Sequence, residues 1–437
     1  STGRRPRSCA GTGRRTRALN ANGIETLYAY DSVGQLISLT HRRIIDQVVV
    51  ASATYAYDGV GNRTTSADSE GTHSYAYDAL HRLVSATHPS TSIIATSNEA
   101  FAYNAVGNRT ADRNRTSYVY DSANRLMSDS QFSYTYDANG NQISRTTKSD
   151  GTQVKFTYNA EDRLVHVYMP DGTASYKYDV FGRRMEKTAT SPSGATISTT
   201  RYVYNNKNIV AILDGNNSLI ATFTNGLGLD EPLIMQRSNG LEFSMLQDGL
   251  GNIVAHVDAQ GNVAERIEYE SYGRPFFMDV RGTPIVTGQS LTGSPFAFTG
   301  REFDLETGLY FFRERQTYDP TVGRFGQEDP LYRVMGEGEA AYLNSVSQYL
   351  YAGGNPTNLT DPRGLAPSQP NEGDGSVKNS DDYYSRLCAS GDTYACRAKQ
   401  IARVCFDTSS TNNCVRNCLV ALDPPCIDNT RPVCGSD

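Results

Sequence analysis

Seven of the eight cysteines in the 437-residue chain lie between residues 383 and 437. They are Cys388, Cys396, Cys405, Cys414, Cys418, Cys426 and Cys434. At this density, cysteines are typical of a small module held together by disulfides in an oxidising compartment. Because seven is an odd number, one thiol is free, pairs with Cys9, or pairs with another chain. Residues 397–406 and 413–422 have a helical pattern, so we expect a small, Cys-rich helical module here.

Zinc binding is the competing chemistry for clustered cysteines. The spacings lack the paired C-x2-C of structural zinc sites, and no histidine follows His256. We therefore expect disulfides in this module, with no metal and no cofactor. The missing imidazole also excludes a His-metal nuclease or a Ser/Cys–His hydrolase after His256. Aspartates leave carboxylate chemistry open, but no spacing singles out a pair.

A sequence repeat lies N-terminal to this module and predicts the elements that precede it. Between Tyr28 and Asn205 the pattern aromatic–x–Tyr–Asp/Asn occurs nine times, at intervals of 16 to 27 residues. In order the repeats read YAYD, YAYD, YAYD, FAYN, YVYD, YTYD, FTYN, YKYD and YVYN. Side chains two apart in a strand share a face, so both aromatics lie on one side of a sheet. The sequence therefore predicts a mainly β repeat array in which neighbours bury one another.

Each repeat also predicts its own turn. The Asp or Asn can bond the backbone two residues on, and the third residue after it is of a type that tolerates a left-handed backbone. These third residues are Gly34, Gly61, His81, Gly107, Asn124, Gly140, Asp162, Gly182 and Asn208. We interpret the Tyr and Asp residues as builders of the sheet. A Tyr ladder that binds cell-surface glycans is the alternative.

Composition and charge narrow the classes of protein. The chain has no Trp, 28 Tyr, 38 Gly, a mean hydropathy of −0.50 and a formal charge of −6. No apolar run approaches the about 20 residues of a membrane span, so we expect no integral membrane protein. Residues 1–20 carry six Arg and no acid, and we expect a disordered tail there. The acidic remainder argues against nucleic acid as the main partner. A start at Ser1 without a signal-peptide region leads us to expect an upstream part.

The pattern changes after Asp248 but stays β. Gly-Asn pairs at 251–252 and 261–262 predict a hairpin meander. Next come GLYFFRERQTYDPTVGRF and, ending at Leu365, DPRGL. With the nine repeats, these motifs resemble the Rhs/YD-repeat family, which includes bacterial polymorphic toxins, the C component of Tc toxins and the teneurin YD shell. The resemblance covers roughly residues 28–365.

The resemblance implies a fold, an activity and a location. The YD sheet would form a cocoon-like shell, incomplete if nine repeats are too few, and the core would plug one end. The implied catalytic pair is Asp329 and Asp361, with Arg324 supporting it and Leu365–Ala366 as the bond that is cut. Two close carboxylates can supply one acid and one base. The alternative is that both are Asp-Pro turn formers, and the long stretch between them could displace the pair.

Five segments follow: a basic tail (1–20), YD repeats (21–247), the end of the shell with the core (248–365), a linker (366–382) and the Cys-rich module (383–437). We expect a secreted or surface protein, bacterial by resemblance, that releases its own C-terminal cargo. An upstream region or shell-closing partner and an immunity protein are further expected partners. A structural, adhesive protein that binds glycans without cleavage is the alternative function.

Overall fold

Each YD repeat folds as one antiparallel hairpin. A computed structural model describes residues 14–94, 98–226, 228–313, 315, 317–330 and 347–365, and the strand backbone of residues 8–9. In eight repeats a side-chain oxygen of the Asp or Asn accepts the backbone N–H four residues later, at 2.8 to 2.9 Å. The third residue of the same eight turns has a positive φ. The predicted turn is therefore confirmed in these repeats.

The ninth repeat turns differently from the prediction. Asn208, which the sequence assigns to the left-handed position, already belongs to a strand and pairs with Asn205. The left-handed residue is Asn206, with φ 54°. The turn here contains only Asn206 and Lys207, because the strands pair right up to the motif Asn. Asn is one of the residues that tolerate a left-handed backbone, so Asn206 can adopt it.

The motif aromatics all lie on one face of the sheet. None of the nine pairs is exposed, whereas the residue between them is exposed in eight repeats. In eight repeats the second Tyr donates its hydroxyl hydrogen to a backbone carbonyl of the preceding unit, at 2.6 to 3.0 Å. The hydroxyls thus link successive hairpins, which supports the structural interpretation of the repeat.

The described strands form three meanders and one short hairpin, all in sequence order and antiparallel. The first sheet contains β1 (Ser8–Cys9), β2 (Arg15–Leu19), β3 (Ile24–Tyr30), β4 (Leu36–Arg43), β5 (Val49–Tyr57), β6 (Arg63–Ala67), β7 (Thr72–Tyr77), β8 (Leu83–Thr87) and β9 (Glu99–Ala100). The short hairpin consists of β10 (Ala102–Tyr103) and β11 (Arg109–Ala111).

The largest sheet has sixteen strands. They are β12 (Val119–Tyr120), β13 (Leu126–Ser128), β14 (Phe132–Tyr136), β15 (Gln142–Thr147), β16 (Gln153–Tyr158), β17 (Leu164–Met169), β18 (Gly172–Tyr178), β19 (Arg184–Thr190), β20 (Thr196–Asn205), β21 (Asn208–Asp214), β22 (Leu219–Asn225), β23 (Pro232–Arg237), β24 (Glu242–Gln247), β25 (Ile253–Asp258), β26 (Val263–Tyr269) and β27 (Pro275–Met278). The last four include the hairpin meander that the Gly-Asn pairs predict.

The start of the first sheet packs onto the end of the sixteen-stranded sheet. Strands β3–β5 and β24–β26 share a buried cluster of Ile24, Val50, Leu246, Ala255 and Val257. His41 of β4 donates Nε2–H to the Gln247 carbonyl at 2.9 Å, and Arg266 of β26 donates to the Val50 carbonyl at 3.2 Å. We call this contact of β3–β5 with β24–β26 the overlap. It joins the beginning and the end of the shell by side-chain packing, because the described strands of the two sheets do not pair with each other.

The core follows as a four-stranded sheet of β28 (Glu302–Asp304), β29 (Leu309–Phe311), β30 (Thr317–Asp319) and β31 (Arg324–Phe325). Short 3-10 turns lie at Phe298–Gly300 and Ala352–Gly354. Its buried aromatics cluster with the shell residues Leu83 and Tyr272. The aromatics of the core are Phe298, Tyr310, Phe312, Tyr318, Phe325 and Tyr351. The core is thus packed against the shell by ring contacts.

Part of the predicted basic tail is ordered structure. Residues 15–19, assigned above to a disordered tail, form β2, and Arg15 pairs with Glu231 at 2.7 Å with little exposed surface. Arg15 also repeats the position of Arg63, since Tyr30 and Tyr77 bond their respective carbonyls. The basic segment therefore continues the repeat pattern and is not a tail at these residues.

His41, His166 and His256 are single and unpaired in the sequence, which predicts positions on the sheet surface, but two of them are buried. His41 and His256 are buried, whereas His166 is half-buried. Burial lowers the pKa of His41 to about 4, so its ring is neutral at pH 7. Both rings lie where the overlap and the loop after β27 cover the sheet, which local sequence does not reveal.

Candidate active site

Asp361 forms the last turn that the structure describes. Its Oδ1 accepts the backbone N–H of Leu365 at 2.9 Å, and its carbonyl accepts the N–H of Gly364 at 3.1 Å. This is the same bond to the fourth residue that the YD turns make. The turn-forming interpretation of Asp361 is therefore correct as far as it goes. Through this bond the carboxylate also contacts the backbone of Leu365, the residue on the N-terminal side of the predicted Leu365–Ala366 bond.

Arg315 brings the two predicted aspartates to one guanidinium. Its Nη2 lies 2.8 Å from Oδ2 of Asp329 and 3.7 Å from Oδ2 of Asp361. Its Nε donates to the carbonyl of Gly364, and its Nη1 donates to the carbonyl of Gln348 at 2.9 Å. A shared cation lowers the cost of placing two carboxylates close together. One arginine thus links the carboxylate pair to the backbone just before the predicted cleavage point.

The pair and its arginine are buried. Arg315, Asp329 and Asp361 are 3%, 5% and 1% exposed. The guanidinium of Arg315 lies 4.1 Å from the ring centroid of Phe325. Burial raises the pKa of Tyr351, whose ring lies 4.6 Å from that of Tyr318 in the same cluster. Electrostatic interactions are stronger in such a buried, aromatic setting than in water.

Arg324, the residue predicted to support the pair, lies buried in β31 of the core. It donates to Oδ1 of Asn108 at 3.0 Å and to the carbonyl of Asn124 at 2.7 Å, both in shell turns. These hydrogen bonds join the core to the shell. Sequence reasoning missed Arg315, because nothing in the spacing separates it from Arg313 or Arg324. Arg315 lies in the connection between β29 and β30, and its partners are distant in sequence.

Some predicted residues fall outside the described part of the chain. Leu365 is described and half-buried. Ala366 lies outside, as do the residues between positions 330 and 347. The seven candidate disulfide cysteines and the linker at 366–382 also lie there. The scissile bond and the disulfides therefore remain predictions from sequence.

Two further findings concern ligands and membranes. Within the described ranges, no cluster of three or more His, Cys, Asp or Glu side chains could hold a metal ion. In that same portion of the chain, no helix has the length and apolarity to cross a membrane.

An overlapping shell of YD hairpins with an aromatic core defines the class of this protein. A family model described as the teneurin YD-shell matches residues 62–357. The chain belongs to this family, and the predicted membership of the Rhs/YD-repeat group is confirmed. The crystal structure of TcdB2-TccC3 superposes with a TM-score of 0.63 at 21% identity, covering 82% of this chain and 20% of that one. That similarity shows the fold.

Relatives of the chain include proteins named as toxins and nucleases. Double-stranded DNA deaminase toxin A of Burkholderia cenocepacia (strain H111) is 29% identical over 338 residues, which cover 72% of this chain. The tRNA3(Ser)-specific nuclease WapA of Bacillus spizizenii is 28% identical over 337 residues, or 77% of this chain. The match spans only 22% and 12% of the lengths of these two relatives.

Proposed function

We propose that this chain is the C-terminal part of a secreted or surface toxin-delivery protein. Its YD shell encloses the segment 366–437 and releases it by self-cleavage after Leu365. The observation that carries the proposal is the contact of Arg315 with Asp329, Asp361 and the carbonyl of Gly364.

The proposed reaction is hydrolysis of the Leu365–Ala366 peptide bond. One carboxylate of the pair removes a proton from a water molecule, whose oxygen attacks the carbonyl carbon of Leu365. The other, protonated, carboxyl gives its proton to the nitrogen of Ala366 as the C–N bond breaks. Leu365 then ends in a carboxylate and Ala366 begins with an amine. Because the bond is tethered beside the pair, the effective concentration of the substrate is high.

The relatives support a toxin as the cargo. They share the shell region with this chain but carry different named activities, a DNA deaminase and a tRNA nuclease. A common shell with differing activities is what a delivery device with exchangeable cargo would produce. We infer that residues 383–437 are the effector, stabilised by disulfides, and that a producing cell needs an immunity protein against it. The adhesive alternative has less support, because none of the motif tyrosines is exposed for glycan binding.

Replacing either aspartate tests the pair. We expect Asp329→Asn and Asp361→Asn to abolish cleavage, because an amide can neither accept nor donate the required proton. Intact mass and N-terminal sequencing of the full chain would detect a fragment that begins at Ala366.

Asp319→Asn is the matched control. Asp319 also precedes a proline and pairs with an arginine, but this arginine is Arg145, at 3.2 Å, instead of Arg315. It should cleave like the wild type. Cleavage that persists in both Asp329→Asn and Asp361→Asn would show that the pair is not catalytic.

A further inference from the structure

We propose that four shell turns position the catalytic pair, so that cleavage waits until this part of the shell has folded around the core. These positioning turns are residues 104–108, 121–125, 137–141 and 159–163. The inference rests on the proposed self-cleavage and adds a condition on it. The core segments next to the pair have little regular structure of their own, and both accept or donate hydrogen bonds to these shell turns or to the strand that follows one of them.

The first such segment is residues 324–328, directly before Asp329. Arg324 reaches two of the positioning turns through Asn108 and Asn124, at 3.0 and 2.7 Å. The carbonyl of Gly326 accepts the backbone N–H of Gln142 at 2.8 Å, which is where β15 begins. Backbone and side chain of this segment are therefore both held by the shell.

Gln327 lies two residues before Asp329 and joins the other two positioning turns. Its Nε2 donates to Oδ1 of Asn141 at 3.2 Å and to the carbonyl of Asp162. Asn141 is fully buried and donates in turn to Asp137 at 2.9 Å and to Asp162 at 2.7 Å. One amide side chain of the core thus depends on a network that only two adjacent folded turns provide.

The second segment is residues 347–350, which contacts Arg315, the arginine that pairs with both aspartates. Ser347 donates its N–H to the carbonyl of Val106, and Tyr349 donates its hydroxyl hydrogen to the carbonyl of Gly140, both at 2.9 Å. Between them, the carbonyl of Gln348 accepts Nη1 of Arg315 at 2.9 Å. The arginine that contacts both aspartates is therefore itself held against the same shell turns.

These contacts add to a short set of bonds within the core, where the N–H groups of Phe325 and Gly326 donate to the carbonyls of Tyr349 and Thr317 at 2.9 and 3.0 Å. Strand β31, the last strand before Asp329, has two residues and pairs with β30 only over Tyr318–Phe325 and Asp319–Arg324. A displacement of about 1 Å in a catalytic group can slow a reaction about 100-fold. A substitution in a positioning turn should therefore slow cleavage more than a substitution that lowers the thermal stability equally at another shell turn.

The test compares Asn141→Ala with Asn252→Ala in the full chain. Both asparagines are buried and donate to the Asp of their own turn, Asp137 at 2.9 Å and Asp248 at 2.8 Å. Asn252 also contacts the core, where it accepts the N–H of Thr299 at 2.9 Å, but its turn is not a positioning turn. Gln327→Met removes the same amide contact from the core side and leaves the shell sequence unchanged.

The readouts are the cleavage rate in pulse-labelled in vitro translation and the midpoint of thermal unfolding. We expect Asn141→Ala and Gln327→Met to cleave about 10- to 100-fold more slowly than the wild type. Asn252→Ala should match Asn141→Ala in midpoint and keep a nearly wild-type rate. Equal slowing in Asn141→Ala and Asn252→Ala, or unchanged rates in both Asn141→Ala and Gln327→Met, would overturn the inference. A wild type that never cleaves would instead overturn the proposed function, and this inference with it.

Discussion

Arg184 contacts the core from within the shell and has only 1% of its surface exposed. Its guanidinium lies 2.5 Å from carboxylate oxygens of both Glu302 and Asp304 in β28, and Lys187 lies 2.9 Å from Asp304. Buried charges of this kind are tolerated only when they are paired. Arg184 and Lys187 therefore attach the core to β19 through buried charges.

Arg184→Met should destabilise the protein by roughly 3 to 5 kcal/mol, because it leaves buried carboxylates short of a partner. Arg183→Met is the neighbouring control, since Arg183 pairs with Asp179 with its side chain 30% exposed, and it should cost about 1 kcal/mol or less. Urea unfolding measures both changes. Similar losses for the two variants would contradict the importance of the buried pair.

Glu99 makes the stability of the overlapping shell depend on pH. Its carboxylate accepts the N–H of Ser271 at 2.9 Å, and burial raises its pKa from 4.5 to about 7. Between pH 4.5 and about 7, Glu99 holds a proton in the folded protein that it has released in the unfolded chain. The contribution of Glu99 to the free energy of unfolding is thus greatest below pH 4.5 and falls as the pH rises to about 7.

Glu99→Gln should remove this dependence, because the amide does not titrate. Urea unfolding of the wild type and the variant between pH 4.5 and 8 measures the difference in free energy of unfolding. We expect the wild type to lose stability relative to the variant as the pH rises through this window. Parallel curves across the whole range would show that Glu99 does not carry a raised pKa.

At the scale of residues, the sequence predicts roles better than partners. Asp329 and Asp361, which the family resemblance implies as a pair, both contact Arg315, a residue that the resemblance does not single out. His41 looks like a surface residue because its strand neighbours are polar, yet the strands that cover it come from residues 242–269. Local sequence cannot show contacts between positions so far apart in the chain.

The hairpin is the element that the sequence predicts most fully. The alternation of the motif sets which side chains are covered, and the Asp or Asn with the third residue sets the turn. Asn206 is the exception, because two nearby positions, Asn206 and Asn208, both suit a left-handed backbone and only strand pairing decides between them. The four short strands of the core have no repeat, so their pairing could not be predicted in the same way.

Gly172 tests how tightly neighbouring hairpins pack. It has φ 148°, and a Cβ there would overlap the carbonyl oxygen of Thr190 in the adjacent strand. Gly151 has φ 73° and open space around it. We expect Gly151→Ala to cost about 1 to 2 kcal/mol, from the backbone conformation alone. Gly172→Ala should cost clearly more, since the strands must also separate. Equal losses in thermal or urea unfolding would mean that the hairpins are not closely packed there.

At the scale of the whole molecule, the overlap of β3–β5 with β24–β26 joins the ends of the repeat array. The number of repeats alone suggests an incomplete shell, because counting repeats does not show where the sheet meets itself. The repeat pattern begins before the first YxY motif. Tyr30 bonds the carbonyl of Arg15 as Tyr77 bonds that of Arg63, although the segment of Arg15 has no YxY, and Arg15 pairs with Glu231. A composition rich in arginine conceals this continuation.

The core contacts turns along most of the repeat array. Asn355 donates to Asn62 at 3.2 Å, Tyr349 to Gly140 at 2.9 Å and Arg313 to Lys207 at 2.9 Å. Each contact joins residues that are about a hundred or more positions apart. Such a core can respond to the folding of the shell as a whole, which is the property that a device releasing its cargo by self-cleavage needs.

The most direct test of self-cleavage after Leu365 is the intact mass of the purified wild-type chain, taken under reducing conditions so that disulfides do not hold fragments together. The account predicts two species, residues 1–365 and residues 366–437, with the second beginning at Ala366. A folded chain that stays at its full length of 437 residues would contradict it. Asp329 and Asp361 would then be turn and packing residues of a structural plug.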